Sequence, residues 1–279
     1  MDIFEIAGQN WDNLKRYYCL LKGRCKDQNE LDVLNKFAGT IKDEWTISIN
    51  MRSFALTNFL IAGAYMNVYE RKKEIKKHLK RFKLETPVEE AIRKHLGSYY
   101  KSRTTFDRMF ENGEKFKYGA LTIGGLGLRE FGEYCVVIKR KQSKDYVSLA
   151  FIKKESLDYV DGDQLDIKRL RQDVADRESV HFLAVLKHEG DIKSIPADEW
   201  ASLICRDGCY IEAVTADDIL NNHIERIWIS KEDCYLYYVY LYMDYLSSLP
   251  DFEKHVLFEF LNIQELSKKH GIKLEVIGE

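Results

Sequence analysis

Proline is scarce, with three residues in 279, and no internal repeat or low-complexity linker interrupts the chain, so composition marks no domain boundary. Long apolar runs are missing too: none approaches the roughly 18 residues that would span a bilayer, and a membrane-spanning helix is not expected. Residues 1–9 carry Asp2 and Glu5 where a signal peptide would be basic. The six cysteines, at 19, 25, 135, 205, 209 and 234, form no CxxC pair, and Cys205 and Cys209 have no His or Cys partner at zinc-finger spacing. They read as reduced core thiols, with the cytoplasm as the expected compartment. Neither sign of charge dominates: 43 basic against 45 acidic residues give a net charge of −2, which removes any global electrostatic case for nucleic acid. The seven histidines show no spacing of the HExxH kind, and no Ser-His-Asp or Cys-His order can be assembled, so no metal is expected. Gly124, Gly125 and Gly127 lack the lysine-serine end of a phosphate loop and read as a hairpin turn.

What is present is ample core material, 45% hydrophobic and 13% aromatic. Trp11, Leu14, Tyr18 and Leu21, then Leu31, Leu34 and Phe37, predict a helical hairpin over 10–38 broken at Gly23 and Asp27. Trp45–Asn50 alternates with period two, Ser53–Ile61 reads as a short helix ended by Gly63, and Ala64–Tyr69 as a second strand. Residues 71–95 read as charged helices. Further strands are expected at Tyr118–Ile123, Tyr134–Lys139, Tyr146–Ile152, Val180–Lys187, Gly208–Val214, Arg226–Ile229 and Lys273–Ile277, with helices at Tyr235–Leu246 and Phe252–His270. Many short strands among few helices predict an α+β fold.

Three segments carry a family resemblance. Thr46–Asn50 with the helix to Gly63 resembles the opening of the bacterial DNA-modifying ADP-ribosyltransferase toxins. Phe116–Leu121 with Arg129–Ile138 is similar to an uncharacterised bacterial family with a lysine-tyrosine-glycine-alanine-leucine run before an arginine-phenylalanine-glycine run. Asp207–Val214 with Ile224–Ile229 resembles the strand bearing the catalytic glutamate of those transferases and the strand that follows. The resemblance implies a split mixed sheet, with an N-terminal helical region at 1–40, the transferase-like domain at 41–230 and a C-terminal helical extension at 231–279. It implies NAD⁺ as substrate and Glu212 as the catalytic carboxylate. A toxin or antiphage role, with a cognate antitoxin protein, follows by the same analogy. Where those enzymes carry a basic residue or histidine on the first strand, this chain has Ser48 and Asn50, with Arg52 just beyond; two residues before the glutamate stands Tyr210.

Breaking the nicotinamide–ribose bond develops positive charge on the sugar, and a carboxylate beside it stabilises that charge. Tyr65, Tyr118 and Phe131, with Tyr69, are candidate aromatic faces for the nicotinamide cation, and Arg52 and Arg103 candidate pyrophosphate donors. The run 71–83 sets Ile75, Leu79 and Phe82 under a basic face whose Lys76, Lys77 and Lys80 could hold a nucleic acid acceptor, expected ahead of a protein acceptor. Each of these residues has an ordinary alternative: exposed strand glutamate, packed aromatic, surface arginine, solvated helix face. Two other functions stay open, a non-catalytic binding module on the same scaffold and a nuclease using Glu212 and His181 without NAD⁺.

Overall fold

The computed structural model describes residues 1–71, 97, 99–234 and 251–278. The helices expected within 71–95, with Lys76, Lys77 and Lys80, and the helix expected at 235–246 lie outside the described residues.

The chain opens with α1 (Ile3–Gln9), α2 (Trp11–Lys22) and α3 (Gln28–Glu44). Asp27 caps α3 by accepting from the Glu30 N–H at 2.9 Å, and Leu34, Phe37, Ala38 and Ile41 form its buried stripe at helical spacing. Next come β1 (Thr46–Met51), α4 (Ser53–Ala62), α5 (Tyr99–Arg108), β2 (Lys117–Thr122), β3 (Tyr134–Ile138), α6 (Arg140–Asp145) and β4 (Leu149–Ile152). The hairpin β5–β6 (Val160–Asp161, Gln164–Leu165), α7 (Ile167–Leu170), β7 (Val174–Ala175), α8 (Val180–His188) and α9 (Trp200–Ile204) follow. The chain closes with the hairpin β8–β9 (Cys205–Arg206, Cys209–Tyr210), β10 (Glu212–Thr215), β11 (Ile224–Ser230), α10 (Asp251–Lys269) and β12 (Lys273–Ile277).

Eight strands form one mixed sheet in the order β12-β11-β3-β1-β2-β10-β4-β7, antiparallel except for the β11–β12 pair. The α+β class is thus observed, but the sheet is continuous and not split. Its two faces carry different layers. Ile47, Ile49, Leu121, Val136, Phe151 and Ala213 meet α2, α3, α4, α8 and α10 on one face. On the other, Ala150, Ile152, Val174 and Val214 meet Ile3 and Ile6 of α1 and Phe106 of α5. Residues 1–40 and 251–278 therefore share core with the sheet.

Three local expectations change. Val180–Lys187 is helix and not strand: seven of the nine residues of α8 are buried, and a short run buried all round has no diagnostic period. Ala64–Tyr69 contributes only a single bridge, Ala64 to Leu220, because Asn67 turns the chain by accepting from the N–H groups of Tyr69 and Glu70. The glycine-rich segment is no hairpin. β2 and β3 both pair antiparallel with β1, on opposite sides of it, so residues 123–133 must cross β1 as a strap. Asn50 holds that strap, donating to the carbonyls of Leu126 (2.9 Å) and Gly132 (3.1 Å) and accepting from the Leu128 N–H (2.7 Å). The approach is so close that a Cβ on Gly127, at φ +67°, would lie 2.1 Å from Asn50 Oδ1, and one on Gly132 2.1 Å from the Met51 carbonyl carbon.

Candidate functional site

Antiparallel register sets which side chains share a face. Ser48 pairs with Ala120, Ala120 with Glu212 and Glu212 with Ile152, so these four form one row across β1, β2, β10 and β4. Tyr118, two residues from Ala120, points to the same side. Arg103 arrives from α5, which lies over that face.

The geometry around Glu212 is tight. Its carboxylate accepts from Arg103 Nη2 at 3.2 Å and from the Ser156 N–H at 2.7 Å, while Arg103 Nη1 donates to Ser156 Oγ at 2.7 Å. The guanidinium lies over the Tyr118 ring, 3.6 Å from its centroid. Behind it Asp107, one helical turn along α5, accepts from the hydroxyls of Tyr118 and, at 2.9 Å, Tyr69. Glu212 is only 3% exposed and Asp107 2%. Burial pushes the Asp107 carboxyl up to about 6, against the pull of Arg103 and the two hydroxyls. Burial works against the charge of Arg103, but the attraction of Tyr118, Glu212 and Asp107 outweighs it and its pKa is raised. Burial also raises Tyr118 and Tyr69. From α8, the Lys187 amine donates to the carbonyls of Lys153 and Tyr210, fixing the chain two residues before Glu212; burial lowers this amine to about 8.

No protein family, curated protein or solved structure matches this chain.

Of the residues singled out in the sequence, Glu212, Arg103 and Tyr118 come together, with Tyr69 tied in through Asp107. The others go elsewhere. Ser48 shares the row with Glu212 but is 1% exposed, with its hydroxyl 4.0 Å from the sulfur of Cys205, which packs with Ala120, Leu128 and Tyr210. Asn50 spends its amide on the strap. Tyr65 is half-buried and packs edge-on against Phe59, at 5.8 Å, in the layer with α4, with Arg71, Arg103 and Glu70 as its charged neighbours. Arg52 is exposed at the start of α4 and lines a separate polar recess with Arg129, Glu130, Gly132, Glu133, Asp207 and Asp233. Phe131 stands between the two places: it is 40% exposed and meets Tyr210 edge-on at 6.1 Å. His181 belongs to α8, in the opposite helical layer, with Lys42 and Asp176 as its charged neighbours, so the pairing with Glu212 that a nuclease would need is not formed.

Sequence reasoning missed Asp107, Ser156 and Glu155. Arg103 and Asp107 stand four apart, a helical spacing that could have flagged the first. Ser156 contributes a backbone N–H, which no side-chain pattern signals. Among the described residues no group of His, Cys, Asp and Glu gathers as a metal cluster would require, and no helix is long and apolar enough to cross a membrane.

Proposed function

We propose that this chain is an ADP-ribosyltransferase-like enzyme that cleaves NAD⁺ with Glu212 as its central carboxylate. The observation that carries the reading is the meeting of Glu212, Arg103 and Tyr118, from β10, α5 and β2, on one face of the sheet. A carboxylate oriented by a guanidinium and a backbone N–H is a fixed negative charge in a poorly solvated site, the arrangement that stabilises an oxocarbenium-like sugar without reorganising. Arg103 takes a new role in this reading: it positions Glu212 and is not spent on pyrophosphate. For the pyrophosphate, Arg52 and Arg129 line the recess beyond Phe131, and Arg129 is already paired with Asp233 at 3.0 Å. Arg52 is thus the candidate anion donor. Phe131, exposed between the two places, is the candidate face for nicotinamide.

The acceptor in this reading is a nucleic acid before a protein. The basic run begins at Arg71, two residues beyond the Tyr69 that is bonded to Asp107, which sets its start beside α5. A toxin or antiphage role, with a neutralising antitoxin, goes with the same reading by analogy.

One observation favours a second reading, a non-catalytic scaffold: Glu212 is almost fully buried, and both its oxygens are engaged. NAD⁺ consumption, measured with and without RNA or DNA, separates the two. The enzyme reading expects cleavage by the wild type and a loss of about 10²- to 10³-fold in E212Q. A folded wild type that consumes no NAD⁺ under either condition would sink it.

A further inference from the structure

Glu212, Arg103, Ser156, Tyr118 and Asp107 hold one another. Glu155 stands apart. Among the described residues its half-buried carboxylate makes no hydrogen bond or ion pair. Yet its backbone is fixed at the heart of the site. The next residue donates its N–H to Glu212 at 2.7 Å, and the Glu155 carbonyl accepts from the Asp158 N–H at 3.0 Å, which closes the turn at residues 156–159. A half-buried carboxylate left without a partner, one residue from the N–H that Glu212 accepts, is placed to exchange a proton with something that enters the site.

The charges around it agree. Burial comes first, then Glu212 on β10, with Asp158 in the same turn and Glu130 on the strap adding repulsion, while Arg103 on α5 works the other way; Glu155 is pushed up to about 7. Tyr210 on β9 completes the surroundings, with Glu212 and Glu155 as its foremost charged neighbours. The two carboxyl groups thus live in different settings, one clamped by a guanidinium and one free to titrate near neutrality, and such a division assigns separate roles to paired acids.

We propose that Glu155 is the general base of the Glu212 site, taking the proton from the water or acceptor hydroxyl that attacks the ribose. This rests on the NAD⁺-cleaving reading above. In the step, the attacking oxygen bonds to the anomeric carbon as that carbon's bond to the nicotinamide nitrogen breaks. The electron pair of the broken bond leaves on nicotinamide, which departs neutral. The proton lost by the attacking oxygen goes to the Glu155 carboxylate, and Glu212, held by Arg103 and the Ser156 N–H, faces the positive charge on the sugar. No other reactant is needed.

The test is the pH dependence of NAD⁺ hydrolysis by the wild type, E155Q, E155D and E212Q. A base must be deprotonated to act, so wild-type kcat should rise about tenfold per pH unit up to about pH 7 and then level. E155Q should lower kcat by about 10²-fold, with KM little changed, and lose that limb; E155D should restore part of both. If E155Q keeps the wild-type rate and limb while E212Q is inactive, Glu155 is not the base and the NAD⁺ reading stands. If folded wild type consumes no NAD⁺, the reading itself fails and the proposal falls with it. Should E155Q not fold, carboxyl-carbon NMR of the wild type decides: titration of Glu155 below pH 5 overturns the proposal.

Discussion

Arg103 carries opposing demands at the scale of single residues. Its side chain is 14% exposed, and leaving water costs a charge several kcal/mol unless partners replace the lost solvation. Here a carboxylate, a hydroxyl oxygen and an aromatic face do so together. Removing one partner of such a pair costs more than the pair contributes, because the other charge stays buried. E212Q should therefore lose about 3 kcal/mol of stability in addition to its effect on chemistry. R103L should lose a similar amount, and the double variant R103L with E212L should lose clearly less than the two single leucine variants together. Urea unfolding of this set measures the coupling. Strict additivity would mean that the two side chains ignore each other and that Arg103 does not position Glu212.

The 123–133 strap shows how one side chain can organise an element. Asn50 supplies three hydrogen bonds to it, one of them to the N–H of buried Leu128, and N50A would leave that donor without a partner. A loss of about 3 kcal/mol is expected from urea unfolding, with faster amide exchange confined to the strap and the neighbouring β8–β9 hairpin. G127A should behave alike, since its methyl would meet both Asn50 and, at 2.9 Å, the Cys135 sulfur. An unchanged midpoint in both variants would remove this account. The strap also marks where sequence reading stops. β1, α4 and β12 were legible because period and capping lie within one short segment, and α4 does end at Gly63. The strap was not, because glycines between two strands look the same whether the strands pair or straddle a third. Glu212 comes from the resemblance, and Arg103 and Tyr118 from residue types suited to the chemistry, which assigns Arg103 to a phosphate and not to the glutamate. Ser48 and Asn50 stand where the resemblance has a basic residue or histidine, but polar side chains on a central strand can also serve packing and loop anchoring, and only tertiary contacts separate the two.

Across the whole molecule, the two faces of the sheet hold titratable groups of opposite tendency. On the α8 side, burial lowers His188 to about 3 and His181 to about 4, so the unfolded chain takes up protons first and stability falls as pH drops below about 6.5. On the α5 side, the folded state of Asp107 protonates at about 6, against an ordinary value of 3.8. Its contribution has the reverse sign: it is fully present below the unfolded pKa and is lost as pH rises through the folded one. The histidines and the raised carboxyls thus offset each other over much of the range from pH 6.5 to 4.5. D107N removes the Asp107 part of that balance and leaves Glu155 in place. Two pH units at about 1.4 kcal/mol each mean that its stability deficit relative to the wild type should grow by about 3 kcal/mol between pH 7 and pH 4. Urea unfolding of both proteins at half-unit steps measures the gap. Parallel curves would show that Asp107 titrates alike in the folded and unfolded chains, and a deficit that shrinks toward low pH would show that Arg103 and the two tyrosines hold it ionised against its burial.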